Sequence, residues 1–291
     1  VADQQKYWVI WVHTFRHLIP QEIYFDQHPE WFSMIDGKRV RDGQLCLSNP
    51  ELLEELCRRL DSMMELKPEC KIWSVSNNDN YNVCQCPECR RQDSLYGGHS
   101  GTLIHFINQV ARRHPDKVIS TLAYQFTRHA PRQDAPLPQR PDTNVNVMFC
   151  SIECDRSRPI ADNPRDASFV KDMEDWTALT SNILVWDYVV QFRNFLNVFP
   201  NLHVLGPNLR FFRDHGVRAM FEQGCRPNRT AWDDLRGYLL ARLMWNPDLE
   251  TDTLIHEFCT ENYGPAAPMV EEILKRLEES LLESGMFLNI Y

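Results

Sequence analysis

The chain has 291 residues, 43% of them hydrophobic and 24% charged, the composition of an ordinary folded protein long enough for one full α/β core. Its formal net charge is −9 and its longest basic run is Arg90-Arg91. Nucleic acid is therefore not an expected partner, because phosphate neutralisation needs clustered Lys and Arg, and no apolar run approaches the length of a membrane span.

The chain opens Val1-Ala2-Asp3-Gln4, with no initiator Met and no signal peptide, and reads as part of something longer. Short apolar runs rich in Val, Ile and aromatics, each followed by polar residues, predict six buried strands. They are Tyr7–His13, Ile72–Asn77, Val118–Tyr124, Val145–Glu153, Ile183–Tyr188 and Val217–Glu222. Between them, amphipathic spacing predicts helices over Leu52–Met64 (after the start signal Ser48-Asn49-Pro50), Gly101–Arg113, Ala167–Leu179 and Asn201–His215, the last closed by Gly216 as a left-handed cap. A long irregular insertion, roughly His13 to Ser48, is expected on the functional face. After Glu222 only helices follow, over Trp232–Trp245, Leu254–Tyr263 and Met269–Ser284.

Strands alternating with helices imply a parallel sheet, and near-continuous apolar strands imply that both faces are covered. No glycine-rich phosphate turn is present, which argues against a dinucleotide-binding open sheet. The expected fold is α/β, a (β/α)8 TIM-type barrel. Six units are two short of closure, so its first two strands are expected to precede residue 1. Residues 1–230 are expected to form the partial catalytic barrel and 231–291 a helical extension packed on it.

Polar residues gather at the C-terminal ends of these strands, which in a parallel barrel converge on one rim. They are His13, then Asn77-Asn78-Asp79-Asn80, then Tyr124-Gln125, Glu153, Asp187 and Glu222-Gln223. Glycoside cleavage needs such a set: one carboxylic acid protonates the leaving oxygen, and a second group stabilises the positive centre. Glu153 and Glu222 each end an apolar strand, where a carboxylate is costly to bury without a reason. They are the expected acid and its partner, with Asp79 as the third catalytic candidate. His13, Asn78, Tyr124, Asp187 and Tyr188 are expected to bind substrate, Tyr188 as the aromatic platform. Asp79 reads equally as a loop cap, Asp187 as the partner of an Arg, and Tyr188 as core filling. Trp31 and Trp73 read as core.

Cys84, Cys86 and Cys89 form the one tight cysteine group among ten cysteines. A structural zinc site wants four ligands, and no second CxxC exists, so the group stays open between a zinc knot, a disulfide and free thiols ordering the loop. No catalytic metal and no cofactor are expected.

In order, the segments HPEWF, DGKR, LCLSNPEL, WSVSNNDN, CQCPEC, VWDY, FEQG, LRGYLLARLMWNP and YGPAAP resemble a bacterial family long labelled a domain of unknown function and later placed as glycoside hydrolase family 163. The resemblance covers essentially the whole chain. It implies a (β/α)8 barrel, endo-β-N-acetylglucosaminidase activity on complex N-glycans, additional N-terminal sequence, and a periplasmic, cell-surface or secreted location. The expectation is a retaining glycosidase acting on β-linked N-acetylglucosamine, with the substrate's acetamido oxygen available as nucleophile and Asn78-Asp79 suited to orient it. The alternative is a carbohydrate-binding barrel without a working acid.

Overall fold

The computed structural model describes residues 8, 10–194, 197–224 and 230–291. The chain forms two compact units, one of residues 1–150 and 175–184, the other of residues 151–174 and 185–291. The boundary expected at residue 230 falls inside the second.

In the first unit, β3 (Ile72–Ser74), β4 (Val118–Ala123) and β5 (Val145–Cys150) lie parallel and side by side. Ile72 is level with Val118, and Ile119 with Val145. The alternation of side chains gives the strands two distinct faces. Trp73, Val75, Ile119 and Val145 enter one hydrophobic core with two helices, α1 (Pro50–Leu66) and α3 (His99–Arg113). The other face mixes Leu122 and Met148 with polar residues, and there Ser120 Oγ donates to Asn146 Oδ1 at 2.9 Å. The sequence dictates α1 locally. Asn49 caps it by accepting from Glu51 N and Leu52 N, Pro50 occupies the first turn, and Leu52, Leu56, Leu60 and Met64 recur on one buried stripe.

The insertion is more regular than expected. It holds single helical turns at Phe15–Leu18 and Gln21–Tyr24 and a hairpin of β1 (Met34–Ile35) with β2 (Lys38–Arg39). Asp36 and Gly37, both at positive φ (48° and 79°), make its two-residue turn. Trp31 and Trp73 are core, as read, with His28 stacked on Trp31 at 4.0 Å. A further helix, α2 (Pro87–Tyr96), was not anticipated. It ends on Gly97 at φ +97°, where an added Cβ would lie 2.6 Å from Arg132 N. Of the strand expected over Tyr7–His13, residues 7 and 9 lie outside the described residues, and Trp8 makes an isolated parallel bridge to Ile72.

Two further strands are β6 (Ile183–Tyr188) and β7 (Ala219–Gln223), and strand order is chain order, β3-β4-β5-β6-β7. α4 (Ala167–Thr177) precedes β6, and α5 (Leu202–Asp214) lies between β6 and β7, followed by Gly216 at φ +76°. In the second unit, Val189 and Val190 pack with Leu202, Leu205 and Leu209 of α5 and with Leu235, Leu239 and Leu243 of α6 (Asp233–Trp245). α7 (Thr251–Tyr263) adds Leu254, and α8 (Ala267–Ser284) is the last helix. The fold class is α/β, with parallel strands alternating with helices as in a (β/α)8 barrel. Among the described residues no helix is long and apolar enough to cross a membrane.

Candidate functional site

Each unit carries its own polar cluster at strand ends. In the second unit the centre is Asp187 on β6, buried at 5% exposure. Ser151 Oγ donates to its Oδ1, and Arg156 Nη2 stands 3.5 Å from the same oxygen. Arg156 is itself buried. Its guanidinium donates to Ser151 O at 2.5 Å, to Ser151 Oγ at 2.9 Å, to Tyr188 O at 3.2 Å and to Cys154 O. A charge so deep is tolerated because nearly every donor on it is used. Asp187 is thus the partner of an Arg, the structural one of its two readings.

Glu222 on β7 is the second carboxyl of this cluster. Trp186 and Tyr188 stack with ring centroids 5.6 Å apart and so share one face of β6. Trp186 also meets the Phe221 ring, and its Nε1 donates to Gln223 Oε1 at 2.5 Å. Alternation therefore turns Asp187 and Glu222 to the opposite face. Glu222 as a whole is part-exposed, yet its Oε2 is shielded from water and has no hydrogen-bond partner among the described residues. Burial, and secondarily the Asp187 charge, push the Glu222 carboxyl well above the usual range, against the opposing pull of Arg156. Glu222 lines a cleft of about 520 Å³ with Phe221, Gln223, Asp233 and Arg236.

Two expectations about this unit need correction. The strand expected to reach Glu153 stops at Cys150, and Glu153 sits exposed in the turn that follows. Tyr188, expected as the aromatic platform, shares its face with Trp186 but is buried at 6% exposure, packed against Trp186 and Phe192, and so offers no open ring for a sugar.

A third carboxyl nearby was missed in the sequence because it lies in no strand. Asp166, in the loop before α4, accepts from Asp155 N at 3.0 Å, while its Oδ2 is buried and unpartnered among the described residues. Burial raises it from 3.8 to about 6. The folded state then holds this proton more tightly than the unfolded chain. The stabilising contribution is full below pH 4 and is lost as pH rises toward 6, by about 3 kcal/mol at 1.36 kcal/mol per unit. Asp166→Asn should flatten the pH dependence of unfolding across that window and raise stability at pH 7; denaturant titrations at pH 4 and pH 7 that give the same difference as wild type would disprove this.

In the first unit the cluster forms around Tyr124. Its hydroxyl donates to Asp79 Oδ1 at 3.0 Å and accepts from Gln125 Nε2 at 2.9 Å. The His13 ring lies 5.7 Å from the Tyr124 ring, and His13 Nδ1–H donates to Asn77 O at 2.9 Å. His13 and Gln125 both adopt positive φ, 55° and 51°, a strain that surrounding structure must hold and that gathers at functional sites. Asp79 is exposed, so a carboxylate is presented to solvent on a fixed Tyr hydroxyl. Asn78 is placed beside it but engaged: its Oδ1 accepts from Arg16 N and its Nδ2 donates to Gly43 O, both at 3.0 Å. It positions the loop.

The cysteine group gains the member the sequence did not supply. Cys46, from the end of the insertion, joins Cys84, Cys86 and Cys89, all four buried, with every pair of Sγ atoms within 4.8 Å.

Among curated proteins nothing matches the chain. Among solved structures, the chain is similar to the GH36 α-galactosidase AgaA of Geobacillus stearothermophilus at 11% identity and TM-score 0.36, covering 78% of this chain and 29% of that one. It is similar to a GH138 enzyme targeting pectin rhamnogalacturonan II at 14% identity and TM-score 0.35, covering 80% and 34%. A sugar phosphate isomerase/epimerase of Parabacteroides distasonis aligns at 10% identity and TM-score 0.34, covering 68% and 67%. The chain thus spans about a third or less of the two glycosidases. The sequence model of one family, by contrast, matches residues 2–275, and the chain belongs to that family, described as Domain of unknown function (DUF4838).

Proposed function

We propose that the chain is the core of a glycoside hydrolase that cleaves β-linked N-acetylglucosamine-containing glycans of the N-glycan type, with retention. The observation that carries this reading is Glu222, a carboxyl at a strand end that lines a cleft and that burial, and secondarily Asp187, push well above the ordinary carboxylate range. An upward shift is the direction a general acid working near neutral pH needs. Asp187, beside Arg156, contributes to that upward shift as the nearest carboxyl. The resemblance of the ordered motifs to family 163 supplies the substrate class and an extracytoplasmic location.

In this reading Asp79 is the exposed carboxylate that accepts the substrate acetamido N–H, so that the acetamido oxygen attacks the anomeric carbon. Tyr124 fixes it. Tyr124→Phe removes the hydroxyl shared by Asp79 and Gln125 and should cut kcat/KM by about tenfold, the size of one lost hydrogen bond to a charged group, with the fold unchanged by circular dichroism. Wild-type kcat/KM in that variant would remove Asp79 and Tyr124 from the reaction.

The deciding experiment is incubation of the full-length protein with a panel of defined N-glycans, with product masses read by mass spectrometry. Release of a glycan cut between the two core N-acetylglucosamines is expected. Binding of these glycans without cleavage of any would instead establish the alternative, a carbohydrate-binding barrel.

A further inference from the structure

The four-cysteine cluster lies apart from both carboxylate clusters in its chemistry, and neither uses it. Cys46 Sγ lies 3.7 Å from Cys86 Sγ and 3.8 Å from Cys89 Sγ. A disulfide requires about 2.05 Å, so these are not bonded sulfurs. Four sulfurs at the corners of a tetrahedron about 2.3 Å from a central zinc stand about 3.8 Å apart, which is the spacing of these two pairs, and all four sulfurs lie within 4.8 Å of one another. Surface and redox roles also fit poorly, since all four thiols are buried.

The surroundings are those of a thiolate cage. Met34 N–H points to Cys84 Sγ at 3.3 Å and Cys89 N–H to Cys86 Sγ at 3.4 Å. Ser48 Oγ is 3.1 Å from Cys89 Sγ, and Arg39 Nη1 is 3.8 Å from Cys84 Sγ. Cys86 is also the N-cap of α2, a ten-residue helix whose positive end faces the sulfurs. Donors and positive charge converge on sulfur, as an anionic tetrathiolate needs. Apolar packing around the group is slight, with Met34 the one part-buried hydrophobic against it among the described residues. Four buried thiols with so little core around them want another source of cohesion.

We propose that Cys46, Cys84, Cys86 and Cys89 bind one structural Zn²⁺ ion. All four positions are filled by protein sulfur, so the ion has no open site for water or substrate and takes no part in bond cleavage. Its work is mechanical. It ties the end of the insertion to the loop after β3, on the stretch where Gln44 Nε2 already donates to Asn78 O and Asn80 O at 2.8 Å.

Metal analysis of the purified full-length protein should find about one zinc per chain, retained through desalting. Replacement by Co²⁺ should give the intense near-ultraviolet sulfur-to-cobalt charge-transfer and visible bands of a tetrahedral tetrathiolate. Cys46→Ser should lower zinc content and affinity by at least tenfold, whereas Cys57→Ser, a buried cysteine on α1, should leave both unchanged. Should Cys46→Ser fail to fold, the stoichiometry and the cobalt spectrum of the wild-type chain still decide. A chain that takes up no zinc and shows four titratable thiols, or a disulfide among them by mass spectrometry, overturns the proposal, as does stoichiometric binding of a different metal in place of zinc.

Discussion

Replacing Glu222 with glutamine is expected to lower turnover on an N-glycan by about 10²–10⁴, the usual cost of losing a positioned proton donor, while the protein stays folded. The substitution keeps the shape of the side chain, and the unpartnered Oε2 loses no hydrogen bond when it becomes an amide. The sign of the stability change follows from the same carboxyl. Its folded value lies well above the ordinary one, first through burial and then through Asp187. The wild-type protein is therefore stabilised at acid pH and loses that contribution as pH climbs from the ordinary carboxylate range toward the folded value. Glutamine removes the titration, so Glu222→Gln should unfold later than wild type near neutral pH and show no advantage at pH 4. The limb of the pH–rate profile that reports this acid is expected to vanish together with activity. Glu153→Gln, changing an exposed turn residue, serves as the comparison and should leave turnover within a few fold. A folded Glu222→Gln variant that cleaves at the wild-type rate would end the assignment and make Asp79, on its Tyr124 hydroxyl, the leading candidate for the acid.

The second large effect is structural. Arg156 is buried at 4% exposure and gives its guanidinium to Asp187, Ser151, Tyr188 and Cys154. Arg156→Met fills comparable space but leaves Asp187 buried, without its cationic partner and next to a second carboxyl. Removing one partner of a buried pair costs about 3–5 kcal/mol, because the other charge is left uncompensated. Chemical denaturation at pH 7 should show a loss of that size. The double variant Arg156→Met with Asp187→Asn should recover most of it, since the stranded carboxyl is then gone. A single-variant loss below about 1 kcal/mol, or a double variant no better than the single, would mean that the pair carries little of the unit's stability.

How far the sequence could be read depended on periodicity. β6 was bounded correctly at Ile183–Tyr188, because its apolar run ends abruptly in polar sequence. α1 was placed to within two residues at each end by Asn49-Pro50 and a clean apolar stripe. α2 was missed because only Cys89 and Tyr96 of its ten residues are buried, which leaves no stripe to detect. The hairpin at Asp36-Gly37 carried a known turn signal, but its strands are two residues each, too short for alternation to show. The site was harder. Strand-end logic pointed to Asp79, Tyr124, Asp187 and Glu222, which lie in polar clusters at strand ends. It carried Glu153 too far, reading Ser151–Glu153 as strand when Ser151 in fact turns aside to serve Asp187 and Arg156. Arg156, Asp166 and Cys46 lie in loops, and their partners are set by tertiary contact alone. Cys46 is 40 residues from Cys86, a distance over which no spacing rule operates.

The stitching of the insertion to the strand beneath it has a consequence for how the protein reaches and leaves this state. The insertion's first turn is held to the β3 end through Thr14 Oγ1 to Ser74 O, Ser76 N to Thr14 Oγ1, and Arg16 N to Asn78 Oδ1. Each joins residues 60 to 62 apart in the chain. Such contacts stabilise only after a long loop has closed, and the closure entropy must be met first. The helices α1 and α3 can gather their stripes locally. The same turn carries Phe15, Leu18 and Ile19 into the core shared with α1 and α3, so the clasp and that core are expected to close together and their amides to open to exchange as one unit.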